Sequence, residues 1–226
     1  MDFLKTKKSC VLLLTALLIL TLISSPSLWS QTQRFSISEM NNPEKKDVIE
    51  AFKQSHEYEK KGQLDKAIGV LMEVYDGNSY EINVRLGWLY YHNKQYNTSI
   101  EYYNNAIKIM PYALESKFGL VLPCAALEDW ATVAEQYKAI LTIDPQNTLA
   151  NYRLGLIYYY KPDYELALKH FEKVGNLYPF DYDTIIMIGW SSWQLGKMRE
   201  AKVLFEHALM IRPDDISALE GLSLIK

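Results

Sequence analysis

Apolar and polar residues along this chain follow a helical rhythm, clearest between Thr148 and Pro179. Leu154, Gly155 and Tyr158 fall on one face of a first segment. Ala167, Phe171 and Val174 fall on one face of a second. Lys161-Pro162-Asp163 separates the two, and Pro179 closes the phrase. This spacing predicts a pair of amphipathic helices joined by a tight turn. The phrase then recurs. Pro111, Pro145, Pro179 and Pro213 stand 34 residues apart. Leu86, Leu120, Leu154 and Ile188 keep the same step, as do Gly87, Val121, Gly155 and Gly189. So do Tyr103, Tyr137, Phe171 and Phe205, and Ala106, Ile140, Val174 and Ala208. A fixed period of this length predicts stacked helix pairs, none of which buries its apolar face alone.

The order within each period is a large apolar residue, a small one, an aromatic three further on, an alanine after the turn, an aromatic, a small residue and proline. This order resembles the tetratricopeptide repeat. The resemblance covers five units, at 48–79, 80–113, 114–147, 148–181 and 182–215, followed by a final helix at 216–226. It implies an all-α, right-handed superhelical solenoid of antiparallel helix pairs. The residue types have physical reasons. Gly87, Gly155 and Gly189 sit where the two helices of a unit come closest, and the aromatics fill the space between units. Proline ends each second helix. Ser79, Asn147, Asp181 and Asp215 stand where first helices start and are expected to cap them, at about 1 kcal/mol each. Ala113 breaks that rule.

The third unit is the irregular one. Val121, Val133 and Ile140 occupy places that are small elsewhere, and Pro123 falls inside its first helix. An interior proline removes a backbone hydrogen bond, so a kink is expected near Gly119–Pro123. At the end of the array, Ile216, Leu219 and Leu222 are expected to cover the fifth unit.

Composition alters the picture mainly at the N-terminus. Lys5, Lys7 and Lys8 precede an apolar run, Val11 to Ile23, which Ser24-Ser25-Pro26 breaks. This layout predicts a secretory signal peptide over 1–30, with cleavage after Ser30. The alternative is an uncleaved inner-membrane anchor through residues 10–29. Residues 31–47 are polar and read as a flexible linker. The expected destination is the periplasm of a bacterial cell. The first thirty residues carry a charge of +2, leaving −5 for the rest. A mildly acidic body argues against a nucleic-acid surface, which needs a basic stripe. Only Cys124 remains beyond the expected cleavage point, so the body holds no internal disulfide.

Candidate chemistry is sparse. The histidines are scattered, and neither a P-loop, GxGxxG, GxSxG nor HExxH occurs. Cys124 reads as a small buried apolar residue. No catalytic residue, metal or cofactor is expected. The stronger signal lies on the first helices. The resemblance places the second, fifth, ninth and twelfth residues of each unit on a concave face. Here these include Phe52 and His56, then Val84, Trp88 and Tyr91, then Phe118 and Leu122. They continue with Tyr152, Leu156 and Tyr159, and with Ile186, Trp190 and Trp193. Exposed aromatic and apolar area of this kind marks a binding surface, and the competing reading is packing between units. Arg85 and Arg153 supply a polar rim. The lysine and asparagine with which this family grips a terminal carboxylate are replaced by Phe52 and His56, so that mode is not expected. The function anticipated is a non-catalytic scaffold that binds a protein or peptide segment in an aromatic groove. The alternative is a self-associating, homo-oligomeric structural element. Membrane contact would come only through an uncleaved N-terminus.

Overall fold

The computed structural model describes residues 43–225. The expected signal peptide and most of the expected linker lie outside the described residues. Two units separate at Asp47/Val48, and the repeat array is the second of them, Val48–Lys226.

Among the described residues there are eleven helices and no strand. The first helices of the units are α1 (Pro43–Lys60), α3 (Tyr80–His92), α5 (Leu114–Ala126), α7 (Thr148–Tyr160), α9 (Tyr182–Gln194) and the closing α11 (Ile216–Ser223). The second helices are α2 (Leu64–Met72), α4 (Tyr96–Ile109), α6 (Trp130–Ile143), α8 (Tyr164–Leu177) and α10 (Met198–Ile211). Three-residue turns join most pairs, which brings neighbours back along one another. Each helix from α2 onward packs on the next in chain order.

The boundaries differ from expectation in two places. Helix α1 starts at Pro43, inside the stretch read as linker, because proline is well suited to a first helical turn. Helix α2 has only 9 residues and stops at Met72, so Val74 packs from beyond the helix end. Helix α5 runs from Leu114 to Ala126 with Pro123 inside it.

The caps form as their residue types require. Ser79, Asn147, Asp181 and Asp215 each accept a hydrogen bond from the backbone N–H three residues on, at 2.9–3.3 Å. Ala113 offers none. A second device was not anticipated. The buried fourth residue of several first helices reaches back to the turn before it. Asn83 donates to the Gly77 and Ser79 carbonyls, and Asn151 to those of Pro145 and Asn147. Lys117 donates to the Pro111 carbonyl at 2.5 Å. Burial pushes the Lys117 ammonium below its usual range.

From the second unit onward the core is organised around one buried ring per unit. Tyr103 lies between α3 and α5, where a Cβ added at Gly87 or Gly119 would come within 2.9 Å and 2.2 Å of it. Phe205 lies the same way between Gly189 of α9 and Gly221 of α11. At these two junctions the first helices also touch each other, α3 with α5 and α9 with α11. The place held by Gly119 and Gly221 is held by Arg153 in α7 and Met187 in α9. Neither α5 with α7 nor α7 with α9 makes such an extended contact. A side chain at that place keeps adjacent first helices apart.

The closing helix packs differently from the expectation. Ile216 is 81% exposed and Leu219 47% exposed. Ala218 and Gly221 are buried instead, with Leu222 and Ile225 beside them. The small pair lets α11 settle on the Phe205 ring, which turns Ile216 and Leu219 outward.

The turn inside four of the five units uses a left-handed residue. Gly62 and Gly196 supply it at φ 71° and 74°, while Lys94 and Glu128 adopt φ 60° and 59° at the equivalent places. A side chain in that region costs roughly 1–2 kcal/mol, partly offset by the greater unfolded-state freedom of glycine. Glu128→Gly should therefore raise stability by about 0.5–1 kcal/mol. In a scanning-calorimetry comparison this corresponds to an increase of about 1–4 °C in Tm. An unchanged or lower Tm would show that the turn carries no strain.

Candidate functional site

The separation of α5 from α7 opens a cleft of about 1300 Å³. Its floor is made by second helices: Tyr103 of α4, and Trp130, Val133 and Tyr137 of α6. Its walls come from α1, α3, α5 and α7. Phe118 meets Tyr137 edge-on, with ring centroids 6.5 Å apart. The third unit's irregularities explain the width. Val121 and Val133 stand where glycine, alanine or serine lets the other pairs close, and Arg153 replaces the glycine that would draw α7 onto α5.

Six of the expected groove residues line this cleft: Phe52, Val84, Trp88, Phe118, Leu122 and Leu156, with His56 beside them. The other six stand outside it. Tyr152 lies edge-on to Phe171 of its own unit at 5.7 Å, and Ile186 is buried in the core cluster around Phe205. Tyr91 packs on Tyr96, and Tyr159 on Tyr164. Trp190 donates its indole N–H to Ser217 Oγ at 2.8 Å and lies edge-on to Phe205 and Trp193. Trp190 and Trp193 thus belong to the end of the array that α11 covers. The cleft also takes in Ala125 and Leu149, at the twelfth and second places of their units, and Trp130, Ile157 and Tyr160, which the repeat pattern did not single out. Trp130 and Leu149 are each 49% exposed. The signal for Trp130, Ile157 and Tyr160 was the third unit's departure from small residues, which widens the groove beyond its usual lining places.

Polar groups edge the cleft. Glu59 of α1 accepts from Arg85 at 2.7 Å and from the Trp88 indole N–H at 2.7 Å, with His56 3.7 Å away. Trp88 is therefore tethered, although 37% exposed. Burial would raise the Glu59 carboxyl, but the hydrogen bonds from Arg85 and Trp88 and the charges of Arg85 and His56 outweigh it. The carboxyl is held below its ordinary value. Glu81, Glu115, Arg153 and Lys161 complete the rim. Cys124 is buried at the end of α5, and desolvation, then the charge of Asp129, pushes its thiol up to about 11. It stays protonated and inert at neutral pH. Among the described residues no three metal-ligating side chains converge, and no helix is long and apolar enough to cross a membrane.

Fold and cleft together define a helical-repeat solenoid with an apolar groove across its first helices. Family profiles described as "Tetratricopeptide repeat" match residues 80–113, 149–181 and 182–215. The chain is a tetratricopeptide-repeat protein. Among solved structures it is similar to MamA, with 21% identity and a TM-score of 0.64, over 74% of this chain and 92% of that one. It is also similar to a tetratricopeptide repeat protein from Parabacteroides merdae, with 17% identity and a TM-score of 0.67, over 79% and 72% of the two chains. A third is YrrB, described as a TPR protein with an unusual peptide-binding site. It shows 17% identity and a TM-score of 0.65, over 80% and 95%. At these identities the likeness shows the fold. One curated relative, the RNA polymerase-associated protein CTR9 of Caenorhabditis elegans, is 30% identical over 92 residues. That match covers 40% of this chain and spans 8% of the relative's length.

The Glu59 tether has a definite pH dependence. Its folded pKa is depressed, so its contribution is present above the unfolded value, roughly 4.3, and is lost as pH falls through the folded value. Because Glu59 is partly exposed, that contribution is about 1 kcal/mol or less. Glu59→Gln should lower the urea midpoint at pH 7, and the gap from the parent should close between pH 5 and pH 3. A gap that persists at pH 3 would assign the effect to packing.

Proposed function

We propose that this protein is a non-catalytic scaffold that binds a segment of a partner protein in the cleft between α5 and α7. The observation that carries this reading is the cleft itself. It brings apolar and aromatic side chains from four first helices and two second helices onto one surface. Its volume of about 1300 Å³ exceeds the ~300–1,000 Å³ usual for small-molecule pockets. Its length across successive units suits an extended or helical segment. A non-catalytic role is supported by the high thiol pKa of Cys124 and by the pairing of Glu59: neither of these described residues is an activated nucleophile or a free base.

The reading is tested by peptide display on the full chain. Selected clones should bind the parent and lose at least tenfold in affinity on a Trp130→Asp/Leu149→Asp variant of equal helicity. Both side chains are half exposed, so the fold should tolerate their replacement. Equal binding to both proteins would move the site elsewhere.

We propose further that the protein works in the cell envelope, on the strength of the lysine-led apolar run and the break at Ser24-Ser25-Pro26. Expressed in a two-membrane bacterium, it should be recovered from the periplasm with an N-terminus near Gln31. Recovery in the membrane fraction starting at Met1 would favour the anchor, and recovery intact in the cytosol would rule out export.

A further inference from the structure

The charges around the cleft are sorted along it. Glu81 and Glu115 occupy the second place of α3 and α5, and both are exposed. Arg153 lies on α7 and Lys161 at its C-terminal end, again both exposed. None of the four makes an ion pair among the described residues. Arg85, the cation on the acidic side, is already held by Glu59. The net field therefore changes sign from the α3–α5 side to the α7 side. Between them lie the apolar side chains of α3 and α5.

Two of these charges have an adequate local reason. Carboxylates in a first turn are favoured by the helix dipole, so Glu81 and Glu115 need no partner to be explained. Arg153 has no such reason. It stands mid-helix, at the place where glycine at two other junctions lets adjacent first helices meet. A long, unpaired cation there keeps the cleft open and projects charge beside an aromatic floor.

We propose that the occupant of the cleft is a peptide segment with an apolar middle and opposite charges at its two ends. Its basic end meets Glu81 and Glu115, and its acidic end meets Arg153 and Lys161. This rests on the cleft being the binding site and adds the partner's chemistry to it. The apolar middle supplies affinity. The exposed charges contribute modestly and set selectivity and orientation.

The test uses fluorescein-labelled ten-residue peptides that share one apolar core. Their ends are Lys/Glu, Lys/Lys or Glu/Glu, and binding to the full chain is read by fluorescence anisotropy. The parent should prefer Lys/Glu over either like-charged peptide by about three- to tenfold, and the preference should shrink in high salt. Arg153→Glu/Lys161→Glu should shift the preference to Lys/Lys. The milder Arg153→Gln/Lys161→Gln pair should weaken it without reversal, and circular dichroism checks that each variant is helical. Equal binding of all three peptides to the parent, no binding of any, or an unchanged order in both α7 variants would overturn the proposal. Loss of charge preference with binding still sensitive to Trp130→Asp/Leu149→Asp would leave the cleft as the site. Insensitivity to that pair would remove the cleft reading as well.

Discussion

The architecture depends on how closely a first helix can approach the aromatic ring beside it. Tyr103 and Phe205 show the tightest form, each lying between glycines on two successive first helices. The ring buries its faces against backbone, and the helices are drawn together by dispersion over a surface with no side chain in the way. A single Cβ at Gly119 or Gly221 would overlap the ring outright. Overpacking of that kind typically costs about 1–3 kcal/mol. The glycine is thus a spacing device, and a repeat protein can set the distance between neighbouring units by keeping or replacing it.

The cleft follows from replacing it once in the right place. At α7 the residue is Arg153, and α5 and α7 part. The same replacement at α9, by Met187, adds no α9 residue to the cleft: Tyr152 lies against Phe171, and Ile186 is buried in the core around Phe205. Two conditions are therefore needed: a side chain that separates the first helices, and the lack of a large ring to fill the separation. The third unit meets the second condition with Leu122 and Ala125, where the second unit carries Trp88 and Tyr91 and the fifth Trp190 and Trp193.

Much of the fold was legible because each repeat position has one dominant physical demand. Proline stops a helix, a short polar residue caps the next, and glycine or alanine marks close approach. Those demands are local, so Asp181 and Asp215 could be assigned as caps from spacing alone. The groove was legible only in part, because its lining depends on distances between units. Trp88 and Trp190 occupy the same repeat place, yet one edges the cleft while the other is covered by α11 through Ser217. Nothing at position nine distinguishes them. The difference lies in what stacks on top, and a helix of 8 residues decided it. Lys117 was hidden for a related reason: a lysine reads as surface until a turn carbonyl is found within its reach.

The uneven distribution of constraint bears on function. The ends of the α3–α11 segment are closed by glycine-seated rings, while its middle carries a cation where glycine would close it. The glycine-seated junction of α3 with α5 holds one wall of the cleft together, which lowers the ordering cost of binding on the protein's side. A segment entering such a site loses its own freedom, but the receptor loses little. Arg153 belongs to both halves of this account, since the same side chain that separates the helices also sets the sign of the field at that end of the groove.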